Sequence, residues 1–146
     1  MSIWQSRLSL ATLNAGSAGT LMGPLGFEFT EIGEDFIRGT MPVDARTHQP
    51  YGLLHGGASV ALAEPLGSMG ANMCVDSARY LCVGQEINAN HLKAVRSGRV
   101  TGTARPLHVG ARSQVWSIEI VNEAGALVCV SRLTVAVIPQ RAADPR

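Results

Sequence analysis

Charge is scarce in this chain. Only 16% of its 146 residues are Asp, Glu, Lys or Arg, against a usual share of about 25%. The charges nearly cancel, leaving a net +1 at pH 7. A general basic field that would attract nucleic acid is therefore missing, and nucleic acid is excluded as a partner. No apolar run approaches the ~18 residues of a transmembrane helix, so no membrane association is expected. The first residues, Met1-Ser2-Ile3-Trp4-Gln5, carry no charged stretch leading into an apolar one, as a secretory signal would. Cysteines number three (Cys74, Cys82 and Cys129). That odd count, without C-x-x-C spacing, reads as reduced, buried thiols in a cytoplasmic protein. The histidines His48, His55, His91 and His108 form no zinc pattern, and no metal is expected.

What is present is apolar: 46% of residues, enough to bury the core of one domain over residues 1–146. A small domain has a large surface for its volume, and charge normally sits there. The shortage suggests that part of the surface meets another subunit. Twenty-three Gly and Pro residues point to turns and close backbone approaches. A short helix is expected over about 8–16 with Ser9 as N-cap, ended by the Gly-rich stretch Gly16 to Gly26. Strands are expected at Phe27–Thr30 and Phe36–Val43, then a helix over about 57–73. Four β-rich segments follow: Tyr80–Leu92, Arg99–Leu107, Ser113–Val121 and Leu127–Val137, with turn signals between them. Their close spacing favours antiparallel hairpins, which makes the fold class α+β, one long helix against an antiparallel sheet. The last few residues read as a flexible tail.

The long helix carries the chemistry. At 100° per residue, Leu62, Leu66, Met69 and Met73 form a bulky stripe expected to pack on the sheet. The opposite face holds Gly57, Val60, Ala61, Glu64, Ser68 and Ala71. A solvent-facing side would carry several charges, and this one carries a single acid. The face is expected to be covered, with Glu64 partly desolvated and a pocket near Ala71, Asn72 and Met69. Glu64 reads either as an interfacial carboxylate held by hydrogen bonds or as a general base or nucleophile. His55-Gly56-Gly57 stands where the helix begins, among unpaired N–H groups and the positive end of the dipole. Gly56 and Glu64 are eight residues apart, about 12 Å along the axis at 1.5 Å per residue. The two are too far apart to serve one small reacting carbon within one subunit, so the helix start of one copy is expected to face the Glu of another.

The run from Met41 to Glu64 (MPVDARTHQPYGLLHGGASVALAE) resembles the hotdog-fold acyl-CoA thioesterases. The similarity is to the PaaI-like branch of the 4-hydroxybenzoyl-CoA, 1,4-dihydroxy-2-naphthoyl-CoA and enterobactin proofreading thioesterases. Ile87 to His91, Arg99-Val100, Pro106 to Gly110 and Ser131 to Thr134 add to it. The resemblance implies a six-stranded antiparallel sheet wrapped around one long helix, paired edge to edge as a homodimer and often doubled into a tetramer. It implies Glu64 as catalytic carboxylate and Ser68 as the residue placing the water. It makes Gly56 the donor that polarises the thioester carbonyl, with His55 and Gln49 lining that carbonyl. CoA, part of the substrate and the reason no separate cofactor is expected, would meet Gly84, the segment His91, Leu92, Lys93 and Ala94, and the segment His108, Val109, Gly110, Ala111, Arg112 and Ser113. An acyl or aryl carrier protein stands open as an alternative thioester donor. A non-catalytic acyl-binding protein and a hotdog dehydratase are the competing functions. One departure is Pro65, directly after Glu64, which removes an N–H from the helix interior.

Overall fold

In the computed structural model, residues 1–140 are described; the expected C-terminal tail lies outside them. The elements are α1 (Leu10–Ser17), β1 (Glu28–Ile32), β2 (Ile37–Pro42), α2 (Gly56–Met73), β3 (Tyr80–His91), β4 (Arg99–Val109), β5 (Ser113–Asn122) and β6 (Leu127–Pro139). All six strands join one antiparallel sheet in the order β1-β2-β4-β5-β6-β3. The expected fold class is therefore the observed one. The Ser9 hydroxyl caps α1 by accepting from the Thr12 N–H at 3.1 Å. β4 runs two residues further than expected, through a bulge between Pro106 and His108. Proline cannot donate to a ladder, and the bulge lets the strand resume beyond it.

The topology departs from a chain of hairpins. β3 does not pair with β4, the next strand in sequence, but with β6, and so becomes an edge of the sheet. The long helix lies across one face. Trp116, Ile118 and Ile120 of β5 and Leu133 and Val135 of β6 are fully buried beneath it.

The face that α2 turns to the sheet is smaller than its bulky stripe. Leu62, Leu66 and Met73 are buried as expected, but so are Gly67, Gly70 and Ala71. A Cβ on Gly67 would stand 2.8 Å from Leu133 Cδ2, and one on Gly70 2.8 Å from the Trp116 ring. The sheet supplies the bulk and the helix supplies the space. Met69 is displaced from the sheet and lies half-buried beside α1. α2 also continues through Pro65 from Gly56 to Met73, so the proline does not end it.

The C-terminal end of α2 is sealed. The Asn72 amide accepts from the Cys82 N–H at 2.8 Å and donates to the Cys82 carbonyl at 3.2 Å, pinning the helix to β3. Buried Gln114 accepts from Trp116 Nε1 at 3.0 Å and donates to the Ala71 carbonyl at 3.2 Å. Trp4 stacks on Trp116 with 6.2 Å between ring centroids. Ala71 and Asn72 are thus held in the packing at this end of the helix. Cys74, Cys82 and Cys129 are free and buried, and burial pushes the thiols of Cys74 and Cys82 up to about 11.

Candidate active site

The start of α2 leaves one amide open. His55 is its N-cap, and the ring Nδ1 accepts from the Gly57 N–H at 2.8 Å. With the Nδ1 lone pair used, the neutral ring carries its proton on Nε2, so His55 faces outward as a donor rather than a base. The N–H groups of Ala58 and Ser59 both bond the His55 carbonyl, at 2.9 and 3.2 Å. The Gly56 N–H has no acceptor among the described residues. It is a free donor at the positive end of an 18-residue helix.

The loop before the helix is tightly held. The His55 N–H bonds the Thr47 carbonyl at 2.8 Å, the Thr47 hydroxyl donates to the Pro42 carbonyl at 2.8 Å, and His48 Nε2 lies 2.9 Å from the Arg96 carbonyl. Gly52, at φ +73°, closes the turn that carries Gln49. The Gln49 side-chain oxygen accepts from the Tyr51 N–H. Its NH2 group is therefore the end that remains for a ligand. Asp44 is forked by Arg46 through two bonds of 3.0 and 2.7 Å, which holds its carboxyl down at about 2.

Two clusters of expected residues form, at different places along α2. The first surrounds the helix start. Gln49, Gly56, Ser59, His91 and Lys93 line one cleft, with His91 Nε2 2.7 Å from where a Gly56 Cβ would be. A side chain on Gly56 would close this cleft. Leu92 and Ala94 are exposed at the same end. The second cluster surrounds Glu64. Its Oε1 reaches over β3 to within 2.8 Å of the Cβ position of Gly84, next to the bulge between Gly84 and Glu86. Ser68 shares a cleft of about 340 Å³ with Glu64, floored by Ala61 and Pro65 and walled by Thr20, Leu21 and Met22.

Glu64 itself is exposed in the single chain. The 20–22 wall flanks the helix face without roofing it. Nothing in the sequence marks that wall or Ser59 beyond the apolar pair Leu21-Met22 inside a glycine-rich stretch.

The expected CoA-binding residues are likewise split. His91 pairs with Cys129 on β6, whereas Ser113 and Val83 both pair with Ala136. Seven residues of β6 separate those positions, about 23 Å at 3.3 Å per residue. His91 to Ala94 therefore stand at the Gly56 end of the helix. The turn from His108 to Ser113, in which the Gly110 N–H bonds the Ser113 carbonyl at 3.0 Å, stands at the other. Val109, Gly110 and Ala111 border a cavity with Cys74 and Arg79 beyond the end of α2.

An open amide at a helix start, a lone carboxylate on the same helix and a sheet wrapped around both match a known family. The Thioesterase superfamily profile fits residues 51–129. The chain belongs to the thioesterase superfamily. This thioesterase is 52% identical over 136 residues to the 1,4-dihydroxy-2-naphthoyl-CoA hydrolase of Escherichia coli, covering 93% of this chain and 99% of that protein. It is equally 52% identical over 136 residues to the proofreading thioesterase EntH of Cronobacter turicensis, covering 93% of this chain and 98% of that one. The crystal structure of the Q49A mutant of thioesterase PA1618 from Pseudomonas aeruginosa matches it with a TM-score of 0.93 at 48% identity, over 95% of this chain and 100% of that one. The α+β hotdog architecture and thioester hydrolysis are thus its fold and its reaction class. None of the thioesterase's described helices is long and apolar enough to cross a membrane.

Proposed function

We propose that this thioesterase hydrolyses an aromatic or medium-chain acyl-CoA to the free acid and CoA, in an active site built from two copies of the chain. The observation that carries the reading is the open Gly56 N–H at the start of the helix that also bears exposed Glu64. The Gly56 N–H, the Gln49 NH2 and the His55 Nε2–H are three donors for a thioester oxygen that gains negative charge as the carbonyl is attacked. Losing one such donor typically costs ~10²–10³ in rate. Glu64 either takes a proton from water or attacks the carbonyl carbon to form an anhydride that water then opens. Both routes break the C–S bond and release the CoA thiol. Ser68, one turn along, is suited to hold the water.

The need for two copies follows from the split clusters. Glu64 with Gly84 and the His108–Ser113 turn make one half. Gly56, His55, Gln49 and the His91–Ala94 segment make the other. β3 is a 12-residue edge strand, and a long open edge is a template for another strand. A two-fold pairing of β3 with the same strand of a second copy, Gly84 opposite His91, brings the first half of each chain to the second half of the other. The three unpaired thiols suit a reducing compartment, and we place the enzyme in the cytoplasm.

The test is thiol release from a panel of aromatic and aliphatic acyl-CoAs, wild type beside Glu64→Ala. The panel includes 1,4-dihydroxy-2-naphthoyl-CoA, the substrate named for the Escherichia coli relative. Turnover of at least one acyl-CoA that is lost in Glu64→Ala is expected. Binding of acyl-CoAs without Glu64-dependent turnover would instead make this a ligand-binding member of the family.

A further inference from the structure

The cleft at the start of α2 contains a hydroxyl that nothing in the chain uses. Ser59, one turn into the helix, is only 2% exposed. Its backbone N–H bonds the His55 carbonyl, but its Oγ has no hydrogen-bond partner among the described residues. Every fully sealed side-chain oxygen or nitrogen among the described residues has a partner, so the Ser59 Oγ is not sealed off. It opens into the cleft that it lines. Leaving a buried hydroxyl unpaired is costly, so whatever enters the cleft is drawn to it.

The cleft is otherwise rich in donors. The Gly56 N–H and the Gln49 NH2 are open, and His91 Nε2 stands 2.7 Å from where a Gly56 Cβ would be. Lys93 is held at the rim by its N–H on the Val128 carbonyl at 3.3 Å. Its ammonium group joins no salt bridge among the described residues. Leu54 and Val128 complete the lining, which contains no Asp or Glu. Donors around a helix start, with no acid among them, favour a negative occupant.

Size narrows that occupant. The cleft measures about 180 Å³. That is several times the ~30 Å³ share of one water, yet below the ~300–1,000 Å³ of pockets that enclose drug-sized ligands. A small oxyanion fits, whereas an acyl chain or a nucleotide does not. The phosphates of CoA are also too far away. With the thioester oxygen on the Gly56 N–H, the whole pantetheine arm separates them from this cleft.

We propose that the cleft is a small-oxyanion site, and that inorganic phosphate seated in it regulates the enzyme. The phosphate oxygens take the Ser59 hydroxyl, the Gly56 N–H and the Lys93 ammonium group together. The thioester oxygen depends on the same Gly56 N–H, so phosphate and thioester exclude each other. The regulation rests on the thioesterase reading; the binding does not.

Titration calorimetry of the intact protein tests the binding. Inorganic phosphate is expected to bind in the millimolar range, and sodium chloride at matched ionic strength is not. Ser59→Ala is expected to weaken phosphate at least about tenfold, because a hydrogen bond to a charged group is lost. Ser59→Cys, with its weak S–H donor, replaces it should the alanine variant misfold. Lys93→Gln should weaken phosphate severalfold and reduce its salt dependence. In thiol-release assays phosphate should raise KM and leave kcat unchanged, with an inhibition constant that shifts in Ser59→Ala by the same factor as the binding. No binding at tens of millimolar phosphate, or equal binding by wild type and both Ser59 variants, overturns the site. Acetate binding tighter than phosphate overturns phosphate as the occupant in favour of a released carboxylate. Ser59-dependent binding without competition overturns the regulation. Absence of turnover on every thioester would overturn the thioesterase reading, and the calorimetry would still decide the site.

Discussion

At the C-terminal end of α2 the polar groups are used up. The Asn72 amide is taken by the Cys82 backbone, Gln114 joins Trp116 to the Ala71 carbonyl, and Trp4 covers the ring. At the N-terminal end, the Gly56 N–H, the Gln49 NH2 and His55 Nε2 have no hydrogen-bond partners among the described residues, nor has the Glu64 carboxylate midway along the helix. Both ends belong to one helix on one sheet, so secondary structure does not separate them. The difference lies in which hydrogen bonds were left unmade. Unsatisfied groups cost stability where they are buried and little where water reaches them. Open donors at the helix start and an exposed carboxylate midway along it therefore mark the stretch kept for substrate.

The contrast can be broken from either side. Glu64→Ala is expected to lower kcat/KM by ~10³-fold with Tm held, because the side chain anchors nothing. Parallel thiol-release assays and thermal melts check both halves of that statement. Trp116→Ala, at the sealed end, should do the reverse. Removing this fully buried ring is expected to cost about 3–5 kcal/mol in urea unfolding, while the surviving folded enzyme keeps its kcat/KM.

His55 sits between the two kinds of role. His55→Ala removes the cap of α2, a loss of about 1 kcal/mol, together with the outward Nε2–H. His55→Asn keeps a capping oxygen and loses only the placement of the donor. Denaturation midpoints should separate the two variants, while both lower kcat. If both variants keep wild-type kcat, His55 is a cap alone.

The smallest effect belongs to Asp44, whose folded carboxyl titrates at about 2 against an ordinary value of about 3.9. Its pairing with Arg46 therefore contributes above the ordinary value and is lost as pH falls from about 4 to about 2. Asp44→Asn should lower Tm slightly at neutral pH and flatten the Tm-against-pH curve in that window, so that the variant and wild type converge towards pH 2.

The elements were readable along the chain because their boundaries are local events. Ser9 caps α1, Gly125 turns β5 into β6 with φ +78°, and the alternation of Cys129, Ser131 and Leu133 marks the inner face of β6. The strand order was not readable, since nothing near Tyr80–His91 says that its partner is β6 rather than β4. The helix wheel erred for a related reason. It ranks residues by bulk and so finds Leu62, Leu66 and Met73, yet Gly67 and Gly70 face inward with them, and the reason lies in Leu133 and Trp116, far along the chain. At the site, Gly56 and Glu64 were legible from residue type and spacing. The wall from Thr20 to Met22 was not, because a glycine-rich stretch has no period to read. Whether a given N–H stays unpaired depends on the whole loop from Asp44 to His55.

The two-copy active site is tested most directly by complementation. Gly56 is the first residue of α2, where the helix backbone accepts proline; the ring removes the open N–H and also crowds the His91 cleft, so the variant disables this half of the site alone. Gly56→Pro and Glu64→Ala should each be nearly inactive. Unfolded together in equal amounts and refolded, they form mixed dimers in which one site pairs an intact Glu64 with an intact Gly56. Activity should return to about a quarter of wild type. If both groups acted within one chain, neither partner would hold a complete site, and the mixture would stay as inactive as its parts.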